Sequence, residues 1–267
     1  MKLSKALSPL EDLRLAIGFG LIPTVKAVLR NPTLLFRPVM LSRVFMKQIW
    51  TPFGEGIDKS SRADKVKIMQ HAYGKVLDIG AGHGHAVNYL EKARASAYIA
   101  VEPNELMHAE IRTRANAAGY TEAKGTLTIL SCGAEEVEKI LQAVDHVDTV
   151  ISILTICSIP KPRENLTGLI RQVLKPGGQV LYYEHVQSPL SDVAWWQALW
   201  SPIWAVWFDG CRMDRPTHIW MKEMVDVDAH GKEVGMWKEQ EMWGKEGEEM
   251  EHLFWHQSGR FVKHDEV

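Results

Sequence analysis

Cysteine is scarce in this chain, and long apolar runs are missing. The 267 residues include only three cysteines, Cys132, Cys157 and Cys211, and no two of them form a CxxC pair. An odd number of widely spaced cysteines argues against a disulfide framework and a zinc site, so we expect no metal and a reducing, cytoplasmic environment. Acidic residues precede the first apolar stretch, and Gly and Pro interrupt it. This pattern indicates neither a signal peptide nor a transmembrane helix.

An excess of positive charge is missing as well. The chain has 31 Lys and Arg against 33 Asp and Glu, which gives a formal net charge of -2. Phosphate contacts from a basic surface dominate nucleic-acid affinity, and this composition supplies no such surface. We therefore expect a small-molecule substrate and no nucleic-acid partner. The hydrophobic content of 46% is ordinary for a folded globular protein.

From residue 75 onward, apolar strand-like runs alternate with helical ones, a pattern typical of βα units around a parallel sheet. The predicted strands are KVLDIG, AYIAVEP, TLTILSC, DTVISILTI and QVLYYEHV. Helices are expected over residues 86–93, from near Asn104, and over residues 163–174, the last leading into a KPGG turn. The runs MWKEQEMW and LFWHQSGRFVK are expected to finish the sheet as an antiparallel pair. The sequence thus predicts an α/β fold with a mostly parallel sheet.

The N-terminal residues 1–60 are predicted to form a helical cap, and residues 61–267 to form the catalytic domain. Breakers at Pro23, Pro32 and Pro38 predict cap helices of only a few turns. The segment LSRVFMKQIW has the composition of an amphipathic helix with a basic rim. It could pack on the protein's own core or touch a membrane, and the sequence leaves both open.

The strongest motif is VLDIGAGHGHAV, an apolar strand that ends in an acidic residue and a Gly-rich turn. Glycines are needed in such a turn because the backbone is tight and its amides approach a ligand closely. A dinucleotide fingerprint requires Gly or Ala where this chain has His85. The spacing therefore favours S-adenosylmethionine (SAM). The residues of this motif expected to bind it are Asp78, Gly80, Ala81, Gly82 and Gly84.

Three further segments are expected to complete the cofactor site. Glu102 ends the second strand, where a carboxylate can accept hydrogen bonds from both ribose hydroxyls. Glu135 follows the third strand, where it could meet the adenine amine or simply cap a helix. The remaining residues assigned to the cofactor are Pro103, Gly133, Ala134 and Leu154.

Together, the Gly-rich motif, the acidic strand end, the run ISILTICSI and the turn LKPGG resemble the class I SAM-dependent methyltransferase family, with its Rossmann-like fold. The similarity covers about residues 75–186. Beyond it, EHV and AWWQALWSPIWAVWFDGC resemble the methyltransferase-like protein 7 branch, whose members are membrane-associated methyltransferases of small alkyl thiols. The points of likeness are Glu184, His185, Pro202, Trp204, Asp209, Gly210 and Cys211. The chain departs from that branch in its denser Trp content and in lacking a long N-terminal apolar anchor.

The resemblance implies methyl transfer to a small apolar acceptor, with a thiol favoured over a hydroxyl or an amine. His185 is the candidate general base and Glu184 a candidate orienting group, although a structural role for the histidine stays open. Cys157 and Cys211 are expected to be buried and to take no part in catalysis. An alternative is a SAM-binding but inactive protein that docks a membrane or a partner.

A Trp-rich segment, WWQALWSPIWAVWF, needs its own explanation, because an exposed loop of this composition would leave a large apolar patch. We expect it to form a lid over the substrate. The lid residues are Trp196, Trp200, Trp204 and Asp209. Packing in the core and peripheral contact with an intracellular membrane remain alternatives.

Overall fold

The computed structural model describes residues 1–228 and 230–265. The α-helices are α1 (Leu3–Ala6), α2 (Pro9–Arg30), α3 (Pro38–Ser60), α4 (Arg62–Met69), α5 (His108–Ala117), α6 (Val137–Val144), α7 (Pro162–Val173), α8 (Ser191–Trp207) and α9 (Thr217–Lys222). The strands are β1 (Gly74–Ile79), β2 (Ala95–Val101), β3 (Leu127–Leu130), β4 (Val147–Ile153), β5 (Leu174–His185), β6 (Val225–Val227), β7 (Glu233–Gly235), β8 (Trp237–Gly244) and β9 (His256–Lys263).

Seven strands form the central sheet, in the order β3-β2-β1-β4-β5-β9-β8. The first five are parallel, and β9 runs antiparallel to both of its neighbours. The predicted parallel strands and the C-terminal antiparallel pair are therefore confirmed. The strand order reverses between β1 and β4, and a ligand crevice is expected at the carboxyl ends of such a pair.

Side chains along each strand point alternately to the two faces of the sheet, and each face has its own buried core. In β2, Ile99 and Val101 belong to one buried cluster, whereas Tyr98 and Ala100 belong to the other. A parallel sheet covered on both faces needs apolar side chains at successive positions, which explains the continuous apolar runs of β1, β2 and β4. The covered sheet is the rigid platform that positions the strand ends.

The prediction of short cap helices is wrong. The helices α2 and α3 have 22 and 23 residues, with Pro23 and Pro52 inside them. An internal proline forfeits one backbone hydrogen bond, but packing can offset this cost. The two helices pack so closely that a Cβ on Gly20 of α2 would lie 2.4 Å from the ring of Phe45 on α3. The other two predicted breakers, Pro32 and Pro38, stand at the first positions of the helical segments that follow α2.

Three smaller differences concern the connections. The helix expected over residues 86–93 is a single 3-10 turn, His85–Tyr89, because Arg94 O already accepts from Gly74 N at 2.9 Å and returns the chain to the sheet. The KPGG segment belongs to β5 instead of forming a separate turn. The small β6–β7 sheet was not predicted. Asn104 does cap the turn after β2, accepting from Leu106 N.

Candidate functional site

A cleft of about 300 Å³ lies beside the carboxyl ends of β1, β2 and β4. Most of the residues predicted to bind a cofactor meet here, although they come from four separate segments. Those lining the cleft are Gly80, Gly82, Glu102, Pro103, Gly133, Ala134, Glu135 and Leu154. Asp209, predicted as part of a lid, also lines it. The strand ends therefore bring together what the sequence keeps up to 129 positions apart.

The Gly-rich turn follows β1 with a left-handed backbone. Gly80, Gly82 and Gly84 have φ values of 63°, 55° and 75°, a region that favours glycine. A Cβ on Gly82 would lie 2.7 Å from Nε1 of Trp50 on α3. The turn is thus close to a helix of the cap as well as to the cleft.

Glu102 joins the turn to the end of β2. Its two carboxylate oxygens accept from Gly82 N and Asn104 N, each at 2.8 Å. Burial raises the pKa of this carboxyl to about 7, since the charged form is poorly solvated there. Each oxygen has a further lone pair with which it can accept a ligand hydroxyl.

Asp78, Ala81 and Gly84 do not line the cleft, so their contact with a cofactor stays a prediction. Asp78 is buried and accepts from the hydroxyl of Tyr98 at 2.6 Å, and burial raises the pKa of its carboxyl to about 7. Ala81 N donates to Val101 O at 3.1 Å. These contacts support the Gly-rich turn from within the protein.

A second cavity, of about 500 Å³, adjoins the cleft. The two share the wall residues Met46, Trp50, Leu154 and Ser158. Leu154 has a φ of 56°, which costs a non-glycine residue conformational energy and is typical of functional sites. The second cavity is mainly apolar and aromatic; its walls include Phe53, Trp204, Phe208 and Phe254.

The polar groups of the second cavity include His185, Cys157 and Cys211. Nε2 of His185 lies 3.3 Å from Sγ of Cys211, and the imidazole meets the ring of Phe254 edge-on at 5.3 Å. The Cys211 sulfur and burial raise the pKa of the Cys157 thiol well above its ordinary value. The structure thus places the predicted base in this cavity, beside the two cysteines Cys157 and Cys211, for which the sequence predicts no catalytic part.

Glu184, predicted as an orienting catalytic group, lines neither cavity. It is fully buried, and Oε1 accepts from the hydroxyl of Ser152 at 2.7 Å and from the amides of Thr155 and Ile156 at 2.9 and 3.3 Å. Burial raises the pKa of its carboxyl. Glu184 holds the turn after β4 that carries Leu154, so its position is that of a positioning residue.

The Trp-rich segment forms α8, one face of which packs in the core. Trp204 lines the second cavity and stacks on Phe208 at 3.9 Å. Trp196 and Trp200 lie on the same face of α8 as Trp204, two turns and one turn before it, and pack in the same core cluster, but they line neither cavity. Trp200 is buried, and its Nε1 donates to Ala6 O at 2.8 Å. Of the predicted lid residues, only Trp204 and Asp209 reach a cavity wall.

Two walls of the second cavity were not predicted from the sequence. One is the face of α3 that carries Met46, Trp50, Phe53 and Ile57, whose spacing is that of an amphipathic helix. The sequence shows that spacing, but it does not show which cavity this face of the helix borders. The other wall is formed by the loop before β9 and the start of that strand, with His252, Phe254 and His256.

Residues 51–230 match a family described as a methyltransferase domain. The thiol S-methyltransferase TMT1B of Homo sapiens is 29% identical over 155 residues, which are 57% of this chain and 61% of that protein. The thiol S-methyltransferase TMT1A of Homo sapiens is 36% identical over 80 residues, which are 29% of this chain and 32% of that protein. The chain therefore matches less than two thirds of the length of these relatives.

Solved structures show the same fold. A candidate O-methyltransferase from Nostoc punctiforme PCC 73102 gives a TM-score of 0.53 at 15% identity, over 93% of this chain and 72% of that protein. An O-methyltransferase family protein from Burkholderia thailandensis gives a TM-score of 0.50 at 12% identity, over 85% and 60% respectively. At such identities the likeness concerns the fold alone.

Proposed function

Since the chain belongs to the methyltransferase domain family, whose cofactor is SAM, we propose that it moves the SAM methyl group onto the sulfur of a small apolar thiol. SAM supplies a methyl group already activated on a sulfonium. The protein then needs to bind both molecules in line and to exclude water. The names of the relatives support a thiol; a hydroxyl or an amine is the alternative acceptor.

The observation that carries the proposal is the second cavity. It has the size and the aromatic walls of a site for a small apolar ligand. It meets the cofactor cleft along Leu154, Met46 and Trp50, so a group held in one cavity can face a group held in the other. The acceptor belongs in the 500 Å³ cavity and the cofactor in the cleft.

Within the cleft, each predicted contact has a chemical partner on SAM. The Gly-rich turn borders the methionyl part, because glycines without side chains let a ligand approach the backbone closely. Glu102 accepts from the ribose hydroxyls, and Ala134 and Glu135 border the adenine. Glu135 is exposed at the rim, where its carboxylate can accept from the exocyclic amine.

The proposed function is tested by incubating the purified protein with SAM carrying a deuterated methyl group. Separate reactions contain an alkyl thiol, a phenol or an amine, and mass spectrometry follows the label. A labelled thioether is the expected product. Label only in the ether or the alkylated amine would reassign the acceptor atom. No labelled product from a protein that binds SAM in calorimetry would favour an inactive docking protein.

Glu102→Ala is expected to weaken SAM binding about tenfold or more, because a charge-assisted hydrogen bond contributes about 1.5 to 3 kcal/mol. Wild-type affinity should also fall as the pH drops below about 7, since the pKa of this carboxyl is about 7 and the protonated group is a poorer acceptor. Calorimetry across this pH range checks both effects. Glu102→Gln is the control for other titrating groups, and an identical pH dependence in Glu102→Gln and wild type would contradict the assignment.

We also propose peripheral contact with an anionic lipid surface through the N-terminal helices. Leu29 and Phe36 are 76% and 86% exposed, which is unusual for apolar side chains. Residues 13–54 hold six Lys and Arg and no Asp or Glu, so the segment that carries these apolar side chains is positively charged. Within residues 1–228 and 230–265, no helix combines the length and apolarity needed to cross a bilayer.

The double variant Leu29→Asp/Phe36→Asp is expected to reduce binding to phosphatidylcholine/phosphatidylserine vesicles by about tenfold or more, because both changes replace apolar contact with repelling charge. Flotation of protein with the vesicles measures the bound fraction. Val66→Asp, on α4, changes an equally apolar residue that is 52% exposed and serves as the control. Equal vesicle binding by the double variant and wild type would refute the contact.

A further inference from the structure

Three metal-ligating side chains meet on one wall of the second cavity. Cys157 follows β4, His185 ends β5, and Cys211 follows α8, so three separate segments contribute them. One donor atom from each lies within 4.8 Å of the others. The positions are 28 and 26 residues apart along the chain, which explains why the spacing of the cysteines gave no sign of the cluster.

The donor distances agree with those of a metal site. Zinc bonded at about 2.3 Å to sulfur and about 2.0 Å to nitrogen in a tetrahedron holds its donors roughly 3.5 Å apart. Sγ of Cys211 and Nε2 of His185 are 3.3 Å apart, and the third donor is within 4.8 Å. Small side-chain movements are enough to place all three around one ion.

The chemistry of the donors selects the metal. Two thiolates and one imidazole form a borderline-soft set that suits Zn²⁺ better than Mg²⁺ or Ca²⁺. Two thiolate charges also balance the charge of Zn²⁺, so the complex adds no net charge to an apolar cavity. Cys157 is 2% exposed and His185 is 5% exposed, which makes this balance necessary.

A second cluster, which borders the same cavity through two of its members, is less suited to a metal ion. It consists of Glu248, His252 and His256. Nδ1 of His256 lies 2.5 Å and Nδ1 of His252 3.2 Å from the same oxygen of Glu248, so these groups already satisfy one another. The hydrogen-bond contacts of the Cys157 sulfur are long, 3.5 Å to Leu154 O and 3.7 Å to the Ser158 hydroxyl. The Cys157–His185–Cys211 cluster is therefore the better candidate.

We propose that Cys157, His185 and Cys211 bind Zn²⁺ and leave its fourth coordination position open to the second cavity. Three protein ligands with one open position are typical of catalytic zinc. All three residues border the cavity, so the open position faces the space assigned to the acceptor. The proposal departs from three sequence-based predictions: the absence of a metal, the role of His185 as a general base, and the exclusion of Cys157 and Cys211 from catalysis.

The open position would bind the acceptor sulfur, a step that rests on the proposed thiol methyl transfer. On coordination the thiol loses its proton to solvent and becomes a zinc-bound thiolate. The sulfur lone pair then forms a bond to the methyl carbon, while the bond from that carbon to the sulfonium breaks and its electron pair stays on the departing sulfur. The products are a thioether and S-adenosylhomocysteine. The thioether is neutral and a weaker ligand, which favours its release.

The test measures the metal alone, without SAM or acceptor. Wild-type protein dialysed against Zn²⁺ under reducing conditions is expected to keep one Zn²⁺ per chain by elemental analysis. Co²⁺ in its place should show thiolate-to-metal charge-transfer bands and the intense visible bands of a tetrahedral site. Cys157→Ser and Cys211→Ser should each bind Zn²⁺ about 100-fold more weakly or worse.

Cys132→Ser is the matched control, because Cys132 is buried outside both cavities. It should bind Zn²⁺ like wild type, and an equal loss in this variant would overturn the site. Wild type that is folded and fully reduced yet binds no Zn²⁺ also overturns it. If the serine variants do not fold, the charge-transfer bands of the wild-type Co²⁺ protein show whether thiolates bind the metal, and their absence would contradict the site. Labelled-methyl assays on the same preparations separate the two proposals: Zn²⁺ without thiol methylation refutes only the function, and thiol methylation without Zn²⁺ refutes only the site.

Discussion

Gly82→Val is expected to abolish SAM binding while the protein stays folded. The new Cβ would lie 2.7 Å from the Trp50 indole and would force a valine into a φ of 55°. Relief of this contact displaces either the Trp50 indole, which lines the cleft, or the backbone of the turn, where Gly82 N donates to Glu102. We expect at least a 100-fold loss of affinity, about 2.7 kcal/mol, from strain and lost contacts. Calorimetry measures the affinity, and circular dichroism checks the fold.

Gly125→Val separates backbone strain from crowding at the cleft. Gly125 has a φ of 65°, similar to that of Gly82, but a Cβ there meets no atom within 4 Å. This control should lose some stability and keep its SAM affinity. If Gly82→Val bound SAM as tightly as Gly125→Val does, the Gly-rich turn would not be the cofactor contact.

Glu184→Ala is expected to lower the free energy of unfolding by roughly 3 to 5 kcal/mol, because it leaves buried donors without an acceptor. These donors are the Ser152 hydroxyl and the amides of Thr155 and Ile156. The same turn carries Leu154, which lines both cavities, so SAM affinity should fall as well. Denaturant titration and calorimetry measure the two effects.

Glu184→Gln keeps one carbonyl-type oxygen and should recover a large part of both losses. Glu164→Ala removes an exposed carboxylate from α7 and should change stability by less than about 0.5 kcal/mol. A loss in Glu184→Ala no larger than in Glu164→Ala would show that the buried carboxylate does not hold the turn.

The strands could be predicted because their signal is local. Each of β1, β2 and β4 is a continuous apolar run, and such runs indicate strands buried on both faces of a sheet. The Gly-rich turn and Glu102 could be predicted for the same reason, since each directly follows its strand. The carboxyl ends of parallel strands meet at one edge of the sheet, so local patterns were enough to bring these residues into one cleft.

The cap helices and the second cavity could not be predicted in this way. Pro23 predicts a helix end, yet it lies inside α2, as Pro52 lies inside α3, because tertiary packing outweighs the single hydrogen bond that each forfeits. The donor pair Cys211 and His185 depends on the loop after α8 returning to the end of β5. No sequence period encodes such a long-range approach, and only the three-dimensional structure reveals it.

The uneven placement of charge along the chain has a consequence for how the molecule approaches a surface. Residues 13–54 hold six of the 31 cationic and none of the 33 acidic side chains, so the rest of the chain has 25 cations against 33 anions. Residues 13–54 therefore carry a net positive charge and the rest of the chain a net negative one, and this asymmetry gives the molecule an electric dipole. In the proposed contact with an anionic surface, this dipole is expected to orient the protein before any apolar side chain makes contact. Because the Debye length is about 10 Å at 0.1 M salt, such orientation should weaken as ionic strength rises, whereas the encounter with an uncharged small molecule in solution should not change.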